Sequence, residues 1–158
     1  ETYGFDISEE GLKKAKEWLD SLNLKADLKK GDMINLPYED NSFDCILCRN
    51  VISHQDTEGV KQIIKELYRV LKDNGECYLT LGSKSTWGFK QTSWTLVDEN
   101  TRLRMEYKTP HFYVDYDLIK VLFKDFKIEF INHIEDFYES NGKTYSSFHY
   151  HVLIKKVK

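Results

Sequence analysis

Two helix-length stretches, each set between short apolar runs, constrain this chain more than any other feature. Leu12, Ala15, Leu19 and Leu22 recur at helical spacing, and Val60, Ile63, Ile64, Leu67 and Leu71 do so again. Ser8 reads as the cap of the first helix, Glu9 and Glu10 favour its positive end, and Asn23 is its stop. Asp56 or Thr57 caps the second. The first helix lies between Tyr3-Gly4-Phe5-Asp6 and the alternation Leu24, Ala26, Leu28, a strand expected to end at Lys30-Gly31-Asp32. The second lies between Phe43 to Cys48, a run of the type buried on both faces, and Glu76 to Leu81. Asp73-Asn74-Gly75 turns the chain into that last strand. The order is β-α-β-β-α-β, with each helix long enough to cross between parallel strands.

That rhythm breaks after Leu81. Trp94 to Val97 and Arg102 to Tyr107 flank Asp98-Glu99-Asn100, which predicts a small hairpin inserted above the sheet. Asp115 can cap a helix carrying Leu118, Ile119, Leu122 and Phe123. Ile128 to Ile134 and Phe148 to Ile154 then read as strands, with Asn141-Gly142 favouring a tight reversal in the connection. The fold class is therefore α/β, with parallel strands first and an antiparallel pair last. With no repeat, linker or low-complexity tract, residues 1–158 are expected to form one domain.

Composition narrows the function. The net charge is −3, from 23 basic and 26 acidic residues, and gives no long-range attraction for nucleic acid. The apolar runs are too short to span a membrane. Three scattered cysteines do not resemble a disulfide framework, so a reducing, cytoplasmic setting is expected. Aromatic residues crowd between Trp87 and Phe148, which suits either a core or a pocket for a planar substrate.

Several side chains could carry chemistry. Asp6, at a strand tip, can accept hydrogen bonds from both hydroxyls of a ribose with Ile7 against the base, or it can merely help cap the helix. Asp32 ends the next strand on the same rim; its carboxylate can accept from an adenine amine while the Met33 N–H donates to the ring, or it can stabilise a turn. Cys45 and Cys48 have C-x-x-C spacing, but on a strand that offset puts them on opposite faces, against a shared metal or redox pair. Cys77 reads as a small core residue. His149 and His151 share a strand face, without the further ligands a zinc site needs.

Tyr3-Gly4-Phe5-Asp6-Ile7-Ser8, Gly31-Asp32-Met33, Leu36-Pro37-Tyr38-Glu39-Asp40-Asn41-Ser42-Phe43-Asp44 and Leu71-Lys72-Asp73-Asn74-Gly75-Glu76 together resemble the successive motifs of class I S-adenosylmethionine-dependent methyltransferases. The similarity is closest to the small-molecule group that includes the quinone-biosynthesis type. It covers residues 1 to about 82 and continues as topology to the antiparallel final strands. The resemblance implies a Rossmann-like, mostly parallel seven-stranded sheet whose first strand and glycine-rich loop precede Glu1; on this reading the chain is an N-terminally truncated domain. A protein of these residues alone would then bind the cofactor weakly or not at all, and the gap in its sheet would be met by closure of its two halves, by self-association or by upstream residues.

The same resemblance implies S-adenosylmethionine as cofactor and a small-molecule acceptor, with neither nucleic acid nor membrane as partner. Asp6 would hold the ribose, Ile7 the adenine face, and Asp32 and Met33 the adenine edge. Cys48, Arg49 and Asn50 would lie near the methionine part. His54 falls at the pocket mouth. Where an acceptor must lose a proton, His54 is the first candidate base and His111 the second, the alternative being a surface or helix-start residue. The segment 83–114, with Trp87, Phe89, Trp94, His111, Phe112 and Tyr113, would enclose the acceptor. Two rivals stay open: a methyltransferase-like binding or scaffold module, and a dinucleotide-binding oxidoreductase.

Overall fold

Strand β1 (Tyr3–Asp6), helix α1 (Glu9–Ser21) and strand β2 (Asp27–Lys30) show local rules acting in sequence. Ser8 is extended, and its side chain accepts from the Gly11 N–H at 3.0 Å, with Glu9 and Glu10 in the first turn. The helix is capped at Leu22, and Asn23, its expected stop, follows in the left-handed region at φ 53°. Asn23 N–H donates to Asp20 C=O at 3.1 Å and Leu24 N–H to Leu19 C=O at 2.9 Å, the two bonds of a Schellman closure. That explains a difference from the sequence reading. Leu24 serves the helix end, so the second strand starts only at Asp27, paired in parallel from Tyr3↔Asp27 to Asp6↔Lys30.

The computed structural model describes residues 1–104 and 108–158. Its chain forms two compact units, Glu1–Tyr38 and Glu39–Lys158, where the sequence suggested one domain. In the first, β1 and β2 are a two-stranded sheet of their own, and the half-buried stripe Leu12, Ala15 and Leu19 belongs to a helix with no fully buried residue. Phe5 lies over Gly31 so closely that a Cβ there would sit 2.6 Å from the ring; glycine is needed at that approach.

The second unit begins with β3 (Phe43–Cys48), α2 (Thr57–Val70) and β4 (Leu71–Ser83), a parallel βαβ crossover. Asp56, not Thr57, caps α2, accepting from Gly59 N–H at 2.8 Å. Val60, Ile63, Ile64, Leu67 and Val70 are buried on one face of α2. Leu79, Leu81, Val152, Ile154, Ile119 and Phe123 are likewise fully buried in this core. Each such side chain contributes roughly 1.5–3 kcal/mol by leaving water.

Two strand expectations need correction. β3 is not buried on both faces: among the described residues it pairs with β4 alone, and Cys45 and Leu47 are exposed, the latter 72%. No second layer covers that face within this unit. The Asp73-Asn74-Gly75 turn is present, but as an interruption inside β4 rather than before it. The ladder jumps from Phe43↔Leu71 to Cys45↔Glu76, with Asn74 at φ 66°.

The inserted hairpin forms from β5 (Thr95–Asp98) and β6 (Thr101–Arg104); the predicted second strand ran on to Tyr107, and residues 105–107 lie outside the described residues. Unforeseen is β7 (Thr109–Val114). It pairs antiparallel with β6 and parallel with the end of β4 at Gly82↔Tyr113 and Ser83↔Val114. Part of the 83–114 segment is thus built into the sheet. Pro110 near the start of β7 hid it, since proline is tolerated at strand starts but reads as a breaker.

Helix α3 (Tyr116–Leu122) follows its Asp115 cap as expected. The final hairpin, β8 (Lys127–Ser140) and β9 (Lys143–Lys155), is longer than predicted. Asn141 at φ 51° and Gly142 at φ 69° make its two-residue reversal. β9 lies antiparallel beside β4, giving the order β5-β6-β7-β4-β9-β8 with β3 also on β4. Among the described residues, this seven-stranded sheet draws three strands, β5 to β7, from the segment 83–114, unlike the seven that the resemblance implied. No described helix is long and apolar enough to cross a membrane.

Candidate functional site

In the first unit the register Asp6↔Lys30 brings Asp6 and Asp32 to the carboxyl ends of adjacent parallel strands. Of the two alternatives open for Asp6, the one with a hydrogen bond behind it is the helix-entry role. Its Oδ1 accepts from Ser8 N–H at 2.7 Å and fixes the entry to α1, while Ser8 itself caps the helix. Asp6 Oδ2 has no hydrogen bond among the described residues, and the neighbouring Ile7 is 66% exposed. Asp32 Oδ1 accepts from Ile34 N–H at 3.1 Å, and its C=O from Asn35 N–H at 3.1 Å. Met33 is half-buried beside it. A carboxylate, an exposed branched apolar side chain and a second carboxylate on one rim match the chemistry of a ribose diol and a purine face.

In the second unit β3 delivers Cys48, Arg49 and Asn50. Cys48 is buried, and burial pushes its thiol up to about 11, so it is a neutral packing group rather than a nucleophile. Cys77 is buried too, with its thiol raised by burial, and Cys45 is exposed on the opposite face of β3 from Cys48. Arg49 is exposed. Asn50 is held in the left-handed region at φ 55°. Its N–H donates to Thr80 Oγ1 and Thr80 Oγ1 donates back to Asn50 Oδ1, both at 2.8 Å. Thr80 is buried, so the pair pins the end of β3 against β4.

Beyond Asn50 a cavity of about 210 Å³ opens, lined by Asn50, Ser53, His54, Thr80, Trp87, Trp94, His111, Tyr113 and His149 among others. The loop carrying His54 is docked on β7 by Phe112 N–H donating to Ser53 C=O at 2.8 Å. This brings together the two predicted histidines, whose rings meet edge-to-face at 5.2 Å between centroids. Trp94 lies 5.8 Å from the His111 ring and 5.6 Å from Trp87. Burial first, then His54 and Arg104, hold the His111 imidazole below its ordinary value, so it is neutral near pH 7. Burial pushes Tyr113 up to about 12, with Arg102 and Arg104 opposing.

Three features of this unit escaped the sequence reading. The first is the Thr80 partner of Asn50. The second is Asp98, seen only as a turn residue. It accepts from Thr57 N–H at 3.0 Å and Thr57 Oγ1 at 2.8 Å on α2, and from Asn100 N–H and Thr101 Oγ1 on the hairpin. Burial opposes its ionisation, yet these donors hold its carboxyl below the usual range. The third is Asp136, which meets His149 Nδ1 at 2.9 Å. His151, its neighbour on the strand face, is instead bonded through Nδ1 to the Tyr78 hydroxyl. No group of three or more possible metal ligands occurs among the described residues. Alternating strand positions and hairpin register set these pairings, and no spacing in the sequence announces them.

The model of a methyltransferase domain family matches residues 1–79, half of the chain, and the chain belongs to that family of S-adenosylmethionine-dependent enzymes. Over 95 residues it is 37% identical to a demethylmenaquinone methyltransferase of Bacillus mycoides, a match covering 56% of this chain and 38% of that protein. Over 100 residues it is 34% identical to the biotin biosynthesis bifunctional protein BioHC of Teredinibacter turnerae, covering 61% of this chain and 17% of that one. The matches thus span well under half the length of these curated relatives. A crystal structure of a SAM-dependent methyltransferase from Methanosarcina mazei superposes with a TM-score of 0.77 at 21% identity, over 98% of this chain and 81% of the other. One from Clostridium acetobutylicum gives 0.72 at 18%, over 99% and 75%. These two likenesses establish the α/β, Rossmann-like fold.

Proposed function

We propose that the protein transfers a methyl group from S-adenosylmethionine to a small-molecule acceptor held in the aromatic cavity of the second unit. The cavity itself is the observation that carries this reading. Family membership accounts for a donor, and the cavity gives a planar acceptor walls of Trp87 and Trp94 beside the polar edges of His54 and His111. The name of the Bacillus mycoides relative, a demethylmenaquinone methyltransferase, supports a small-molecule acceptor.

The cofactor supplies an electrophilic methyl group on a sulfonium, so the protein's task is positioning and exclusion of water. Asp6 would hold the ribose diol through its open Oδ2, with Ile7 on the adenine face and Asp32 and Met33 on the adenine edge. The end of β3, Cys48 and Arg49, would serve the methionine part through its backbone path, which the Asn50–Thr80 bonds fix. His54 and His111 meet the acceptor. The hairpin β5–β6, held to α2 by Asp98, supports the cavity wall on β7 that carries His111. The free cysteines support a cytoplasmic setting. A dinucleotide-binding oxidoreductase is set aside by the family assignment.

The test is release of S-adenosylhomocysteine when full-length protein is offered a panel of small planar acceptors. Turnover should appear with at least one, and Trp94→Ala should raise its KM. Donor binding without turnover on any acceptor supports the scaffold alternative instead.

A further inference from the structure

His149 and Asp136 form a pair that neither the family motifs nor the predicted histidines account for. They sit on the two strands of the final hairpin, where Ile134 pairs with His149 and Asp136 with Ser147. The alternation of a strand puts His149, Ser147 and Asp136 on one face, and both His149 and Ser147 line the cavity. Asp136 Oδ2 lies 2.9 Å from His149 Nδ1. An ionised carboxylate only accepts hydrogen bonds, so Nδ1 must carry the proton. His149 Nε2 is then the basic nitrogen, with no hydrogen bond among the described residues.

The His54–His111 pair is built differently. Its rings meet edge to face with no carboxylate bond to either among the described residues, and His111 is half-buried beside Arg104. Such a ring meets a neutral edge of a ligand well but is a poor place to put a proton.

Resting on the acceptor reading above, we infer that His149 is a catalytic base, that Asp136 is its positioning residue, and that the acceptor is a single-ring planar compound with an acidic hydroxyl. In the step assigned to it, the acceptor O–H bond breaks, the proton forms a bond to His149 Nε2, and the electron pair stays on the acceptor oxygen as the nucleophile. The ring size follows from volume. A cavity of about 150 Å³ takes a benzene ring, so one of about 210 Å³ takes a ring with substituents. Planarity follows from the indole walls.

Para-nitrophenol is a suitable probe, because its phenol and phenolate absorb differently and it ionises near neutral pH. Its entry to the cavity is read by quenching of Trp87 and Trp94 fluorescence. The bound probe should be severalfold more ionised than free probe at the same pH. His149→Gln and Asp136→Asn should return the ratio to that of free probe, and Asp136→Glu should restore much of the effect. Long-range proton–nitrogen NMR of the unliganded wild type should place the His149 proton on Nδ1, a readout independent of any variant's folding. A proton on Nε2, or bound probe no more ionised than free, overturns the inference while leaving the acceptor reading standing. Absence of quenching overturns both.

Discussion

The two units are built on different physical principles. The first presents its chemistry through turns: Asp6 to Ser8 and Asp32 to Ile34 are hydrogen bonds across two residues, on strand tips beside an exposed helix. The second assembles its chemistry across the chain, joining Asn50 to Thr80, Thr57 to Asp98 and Asp136 to His149 over a fully buried apolar layer. The strand-tip residues proposed for the donor are held by local turns, and the cavity proposed for the acceptor depends on bonds between distant segments.

Substitutions can break that contrast. Leu79→Ala in the second unit should cost about 2–5 kcal/mol in denaturant unfolding, because it opens a cavity in a fully packed layer. Trp18→Ala in the first should shift the same transition by no more than about 0.5 kcal/mol, since Trp18 is exposed. Equal effects would deny the difference in anchoring.

Asn50→Ala sharpens it. A left-handed alanine costs about 1–2 kcal/mol, and the buried Thr80 hydroxyl, left without an acceptor for its proton, adds about 1–3 kcal/mol. Unfolding should register the loss, and both donor affinity and acceptor KM should suffer, because the same bonds fix the path proposed for the methionine part and the wall of the cavity.

Asp98 gives a smaller, pH-dependent effect. Its folded carboxyl titrates below its unfolded value, so its contribution is complete above the ordinary carboxylate range and is lost as pH falls through the lowered folded value. Amide exchange in β5 and β6 should quicken across that acid window in wild type and at all pH values in Asp98→Ala. His111 gives the smallest effect. With its folded value lowered, stability is complete above about pH 6.5 and declines as pH falls below it, where the unfolded chain binds the proton more readily. NMR titration should find His111 below its ordinary value, and Arg104→Gln should move it upward.

The contrast also explains what the sequence could show. The caps at Ser8, Asp56 and Asp115, the reversal at Asn141-Gly142 and the strand-tip acids were all legible, because each is decided within a few residues. The exposed face of β3 was not, because burial of Cys45 and Leu47 depends on what covers them rather than on their own pattern. Nor was β7, whose partners come from β6 and from the distant end of β4. His54 and His111 could be singled out separately, but their edge-to-face contact required the loop after Asn50 to dock on β7. Strand alternation pairs His149 with His151 alone, whereas its partner Asp136 lies across a hairpin longer than its apolar pattern indicates.

The central claim is that the donor is recognised at the strand tips of the first unit, and calorimetric titration of full-length protein with S-adenosylhomocysteine tests it most directly. Hydrogen bonds to a charged group contribute about 1.5–3 kcal/mol, so Asp6→Ala should weaken binding roughly 10- to 100-fold. His111→Ala, in the acceptor cavity, should leave donor affinity close to wild type. Unchanged binding in Asp6→Ala would contradict the account.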